Sequence, residues 1–251
     1  DGRLGYAFTP RFAVSCTPAM LRDSATAARS MGAWWQTHLS EDRGEIAEVG
    51  RLFPDASDYV DVYERAGGLG TRTVLAHAIH LSDRELERLV STGTRVAHCP
   101  ASNLFLASGV MPLARYLEAG LRVGLGTDVA AGPDLSLFTA MRVGFYTQNA
   151  LRSAGGETRP PMGPLDWLRM GSLEGARALG LDGSIGSLEA GKEADLILVD
   201  PSLTMPVPGS DADDPADLMS RLIFRAHPSM VRAAFVRGRR LEGPAWSGRA
   251  G

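Results

Sequence analysis

Five times over the first two-thirds of its 251 residues, the chain runs from a short apolar or alternating segment into one with helical periodicity. The pairs are "YAFTPRFAVSC" with "TPAMLRDSATAARSMG", "AWWQTHLS" with "EDRGEIAEVGRLF", "RTVLAHAIH" with "LSDRELERLVSTG", "TRVAHCP" with "GVMPLARYLEAG", and "RVGLGTD" with "LSLFTAMRVGFYTQNALRS". Strict alternation of this kind is the pattern of βα units feeding a parallel sheet. The run "VGLGTD" is apolar on both faces, as a strand covered on both sides should be, and it stops on Asp128. Taken alone, Asp128 also suits the N-cap of the helix that follows.

Helix signals are clearest over Leu81 to Gly93, where Ser82 and Glu85 have the capping-box spacing and Gly93 supplies a stop. A further helical segment, "GPLDWLRMGSLEGARALGL", precedes a change of texture. Beyond it, "ADLILVD" reads as a strand and "VRAAFVRGRRL" as a hairpin with Gly238 in its turn. The intervening "TMPVPGSDADDPAD" reads as a polar, proline-rich surface loop. Met31, Met111, Met141 and Met170 read as gap-filling core residues, and Trp34 and Trp35 as packing around the strand that leads to His38.

A 44% hydrophobic content with 22% charged residues and a net charge of −3 describes an ordinary globular chain with a substantial core. It gives no basis for a nucleic-acid surface, and no apolar run is long enough to span a bilayer. Cys16 and Cys99 are too few and too far apart for a disulfide framework, which points to a reducing compartment and, by default, the cytoplasm. The chain opens on Asp1 without an initiator methionine and enters a strand almost at once, so it reads as beginning in mid-protein.

Chemistry concentrates at the strand ends. They carry, in order, Arg11 and Phe12, then His38 with Glu41, His77 with His80, His98 with Cys99 and Pro100, and Asp128. In a barrel of parallel strands that end is where active sites are built. Four of the five histidines lie there; His80 and His227 read as ordinary, satisfied side chains. Histidines and an aspartate converging on one rim supply the imidazole and carboxylate ligands that zinc or iron accepts. In "HLSE", His38 could bind a metal while Glu41 reaches the same pocket with a free carboxylate able to carry a proton, an arrangement suited to hydrolysis. Glu41 equally suits the first turn of the next helix. The H-x-E and P-C-x-x-C elements of cytidine-deaminase zinc sites are absent, which excludes that fold.

Taken in order, "QTHLSE", "AHAIHLSDRELERL", "AHCPASNLFLASG", "GLGTDVAAG" and "GSLEAGKEADLILVD" resemble the metal-dependent amidohydrolase superfamily. The stretch "TPRF" with "SC" at 15 and 16, and "HLSEDRGEI", is similar to the guanine deaminases within it. The resemblance implies an α/β fold, a partial TIM (β/α)8 barrel of the amidohydrolase type over residues 1–181, with a small C-terminal β-sandwich element over residues 182–251. It implies one zinc, iron being the other option, held by His38 and Asp128. Glu41 would be the proton shuttle, His77 would orient the attacking water, and Asp128 would also take a proton from that water. Arg11 and Phe12 would bind a purine, by forked hydrogen bonds and by stacking. A homodimer is implied as well.

The family's H-x-H strand, which supplies two further ligands, has no counterpart in the sequence. Roughly three of eight barrel units are also lacking. The chain therefore reads as the C-terminal portion of a longer guanine deaminase, to which the activity belongs. The alternatives are another deaminase or chlorohydrolase of the superfamily, acting on a different purine, a pyrimidine or a triazine, and an inactive fragment or non-enzymatic relative.

Overall fold

The computed structural model of the chain describes residue 2, residues 4–204 and residues 214–242. Its first part contains β1 (Ala7–Phe8), α1 (Pro18–Ser30), β2 (Trp34–Leu39), α2 (Arg43–Leu52), α3 (Tyr59–Arg65), β3 (Thr73–His77) and α4 (Asp83–Thr92). There follow β4 (Arg95–His98), α5 (Pro100–Phe105), α6 (Leu113–Glu118), β5 (Arg122–Leu125), α7 (Leu137–Ser153), α8 (Pro164–Met170) and α9 (Leu173–Ala178). The tail adds β6 (Leu196–Val199), α10 (Pro215–Arg225), β7 (Val231–Val236) and β8 (Arg239–Arg240).

Strands β1 to β5 form one sheet in chain order, every neighbouring pair parallel. Such an order needs a crossover after each strand, and the predicted helices supply them. Thr37, Leu75, Val96 and Val123 lie in one row across the register, and none is more than 2% exposed. On the same face of β2, the Trp35 indole donates to Ser24 Oγ at 3.0 Å and meets Tyr63 edge-on at 5.3 Å. Each such fully buried apolar side chain contributes about 1.5–3 kcal/mol. The capping boxes at Ser82–Glu85 and Asp42–Glu45 are both formed, and Gly93 ends α4 at φ 69°. Helices α7 and α8 approach so closely that a Cβ on Gly144 would lie 2.4 Å from the Trp167 ring.

Several sequence expectations need correction. The first extended segment pairs over only two residues, because Pro10 brings no N–H and the chain then turns at Phe12. The long helix expected after Gly163 is two helices, α8 and α9, broken at Gly171 and Ser172. Met31 is 68% exposed at the end of α1, whereas Met111, Met141 and Met170 are core. Residues 205–213 of the expected proline-rich loop lie outside the described residues, and Pro215–Asp217 at its end already form the first turn of α10, capped by Asp214.

The tail strands form an antiparallel sheet in the order β6-β7-β8. Its predicted hairpin turns through Arg237 (φ 52°) and Gly238 (φ 74°), the left-handed pair of a type I′ turn. Among the described residues this sheet is a single layer of the expected sandwich. Helix α10 packs instead on α7 and α8, with Phe224 against Phe145 at 4.9 Å and Tyr146 at 5.8 Å.

Candidate active site

Eight non-glycine residues have positive φ among the described residues, and seven of them, Phe12, Ser40, His77, Ala78, Ala107, Asp128 and Ala130, lie in the loops at the carboxyl rim of the parallel sheet. Left-handed backbone at such residues costs about 1–3 kcal/mol each and persists only where the surroundings enforce it. His77, the last residue of β3, and Asp128, beyond the end of β5, are among them.

The rim brings together His38, Glu41, His77 and Asp128. His77 Nε2 lies 3.6 Å from Glu41 Oε2 and 3.9 Å from Asp128 Oδ2. Its Nδ1 is 2.8 Å from Asn103 Oδ1 and donates to it, which leaves Nε2 facing the two carboxylates. The rings of His38 and His77 stack at 5.2 Å. On the other side of His38 lies Phe12, 3.9 Å away and nearly parallel, with the Arg11 guanidinium 5.1 Å from the Phe12 centroid. Ser15 Oγ and Cys16 Sγ both donate to the Arg11 carbonyl, folding the chain back just beyond this pair. The structure thus places all six sequence-predicted site residues at one end of one sheet.

Burial, with the His77 imidazole beside it, pushes His38 down to about 4, so its ring is neutral near pH 7. His38 Nδ1 and His77 Nε2 are buried with no hydrogen-bond partner among the described residues. One ligand atom each of His38, His77 and Asp128 lies within 4.8 Å of the others. A neutral His38 imidazole, the His77 ring and a carboxylate converge here with nitrogen atoms left unpartnered. That is the donor set a divalent zinc accepts, and the residues fit a metal on this ground. The sequence reading has His38 and Asp128 as ligands and His77 as the residue that orients the water; a ligand atom of each lies in this cluster.

Neutral polar groups around the site were not legible beforehand. Ser102 Oγ donates to Asp128 Oδ2 at 2.6 Å, and Ser108 Oγ to Glu41 Oε1 at 3.1 Å. His80 Nε2 is 2.9 Å from the Ser108 carbonyl oxygen and donates to it, while His227 pairs with Ser229, so both are satisfied as expected. His98 is wholly buried, and desolvation chiefly lowers its pKa to about 3.

Comparison with known proteins places this geometry. The profile of the Amidohydrolase family matches residues 1–241. A probable guanine deaminase of Deinococcus radiodurans is 41% identical over 202 residues, covering 80% of this chain and 45% of that protein. The solved structure of E. coli guanine deaminase superposes with a TM-score of 0.87 at 31% identity, over 96% of this chain and 56% of that one. A guanine deaminase from C. acetobutylicum, solved with guanine bound in its active site, gives 0.84 at 28% identity over 93% and 54%. The chain spans about half the length of the relatives it matches. No helix among the described residues is long and apolar enough to cross a membrane.

Proposed function

Because the chain belongs to the amidohydrolase family, whose members are metal-dependent, we propose that its rim site deaminates guanine hydrolytically, giving xanthine and ammonia. The convergence of Glu41, His77 and Asp128 within 4 Å contacts, beside an arginine–phenylalanine pair, carries this reading. His38 and Asp128 would hold the cation, with His77 Nε2 facing Asp128 and Glu41 beside it. When bound, a zinc ion supplies the Lewis acidity that makes water nucleophilic near neutral pH.

The chain's own groups do the remaining work. Asp128 takes a proton from the attacking water, and His77 Nε2, facing both carboxylates, orients that water. Glu41 moves one proton of the water to the purine ring nitrogen and relays the proton held on Asp128 to the departing amine, so that guanine and water become xanthine and ammonia with both carboxylates restored. Arg11 presents a planar fork to the edge of the base, and the Phe12 ring offers a face for stacking. These groups lie within residues 1–181, and strands β6 to β8 form the accompanying β element. Zinc as the metal, a cytosolic location and a homodimer go with this reading; metal analysis, fractionation and light scattering test them.

The substrate assignment is tested by a panel of guanine, adenine, adenosine, cytosine and a chlorinated triazine, with ammonia or chloride measured. Preference for guanine supports it. Equal or greater turnover of another member would move the assignment elsewhere in the family.

A further inference from the structure

Glu41, His77 and Asp128 lie at the ends of three different strands, yet one short segment touches all three. Ser102 and Asn103 stand on α5, and Ser108 follows its exit; each is at least 93% buried. Ser102 Oγ holds Asp128 Oδ2 at 2.6 Å, Asn103 Oδ1 holds His77 Nδ1 at 2.8 Å, and Ser108 Oγ holds Glu41 Oε1 at 3.1 Å. We propose that residues 102–108 are a single positioning element, which sets the tautomer of His77 and the working oxygen of each carboxylate for the reaction assigned above, on which this inference rests.

Each bond has a specific consequence. Asn103 accepts from Nδ1 and so leaves Nε2 facing the carboxylates; without it either tautomer is available. Ser108 occupies Glu41 Oε1, which turns Oε2 toward His77. Ser102 fixes Asp128 through Oδ2, the oxygen nearest His77. The segment is itself anchored where the His80 ring donates to the Ser108 carbonyl. Gly109, at φ 130°, is needed there, because a Cβ would come within 3.1 Å of that ring. His80 thus has a place in the site without touching any reacting group. A hydrogen bond to a carboxylate or imidazole at a reactive centre fixes its orientation as well as its energy, and loss of such a partner typically lowers activity ten- to hundredfold.

The test uses the zinc-supplied protein with 15N-labelled histidine and two pairs of variants. Asn103→Leu should convert His77 from a single Nδ1–H tautomer to a mixture, read by nitrogen chemical shifts without substrate, while Asn103→Asp, which keeps an acceptor, should keep Nδ1 protonated. Ser108→Ala should lower kcat for guanine about tenfold with KM within about twofold, and Ser108→Thr should restore it. An unchanged His77 signature in Asn103→Leu would overturn the proposal. So would a Ser108→Ala kcat within twofold of wild type, or no rescue by Ser108→Thr at an unchanged melting temperature. If the tautomer shifts but guanine yields no ammonia, the positioning element stands and the substrate reading falls.

Discussion

At the carboxyl rim of the parallel sheet, polar side chains are buried against one another: His77 is 0% exposed and Glu41 6%. In the antiparallel tail sheet the charges lie in water, Arg232 pairing with Asp200 and Arg237 with Glu193 at the surface, while Ile197 and Leu198 of β6 are about half exposed. Among the described residues, seven left-handed non-glycine residues gather at the rim, against one in the tail, where a hairpin turn requires it. Burying polar groups and bending backbone into this region both oppose folding. The rim is therefore arranged for chemistry at some cost in stability, and the tail for simple pairing. Changes at the rim should alter catalysis far beyond their effect on stability, and changes in the tail should do neither.

Glu41→Gln should break the contrast most severely. Ammonia release from guanine should fall by about a hundred- to ten-thousandfold, because the proton carrier is lost, while zinc content is unchanged. Retention of turnover in that variant would remove Glu41 from the reaction.

Acid should expose the rim next. His98 falls from an ordinary 6.5 to about 3 in the folded chain, chiefly by burial. The unfolded chain therefore binds more protons at this residue between these values, and the contribution of His98 to stability falls as pH drops from about 6.5 toward 4, by at most about 1.4 kcal/mol per pH unit. Above pH 6.5 the group adds no pH dependence. Denaturant melts across this range should show that slope, flattened in His98→Leu; an equal slope in both would assign the acid sensitivity elsewhere.

Arg11→Ala should weaken guanine use about ten- to hundredfold in kcat/KM, the scale of a lost charge-assisted hydrogen bond, and leave the melting temperature nearly unchanged. A matching loss for every compound in the panel would instead indicate damage to the rim. The smallest effect belongs to the tail. Arg232→Ala removes an exposed pair with Asp200, and should shift the melting temperature by less than about 2 °C with no change in ammonia release. A loss of activity there would show the tail coupled to the site, against the contrast drawn here.

Much of the parallel sheet was legible because its signals are periodic: β2 to β5 and helices α4 and α7 follow apolar patterns long enough to read, and His38, His77 and Asp128 stand out as titratable residues that end such runs. Short elements were not. Helices α3 and α5 span seven and six residues, too few to show a helical period. Ser102 and Ser108 carry no charge and meet partners 26 and 67 positions away, a relation that only the assembled sheet creates. The stacking of Phe12 on His38 depends on a left-handed backbone at a phenylalanine, which local propensity argues against. In the tail, the hairpin announced itself through Gly238, whereas α10 was hidden behind a stretch read as loop.

The most direct measurement is ammonia and xanthine release from guanine by the fully zinc-loaded protein, beside its Glu41→Gln variant with zinc counted on the same samples. The account predicts equal amounts of both products from the native sequence, and neither from Glu41→Gln at the same zinc content. Full zinc loading without product from the native sequence, or undiminished product from Glu41→Gln, would contradict it.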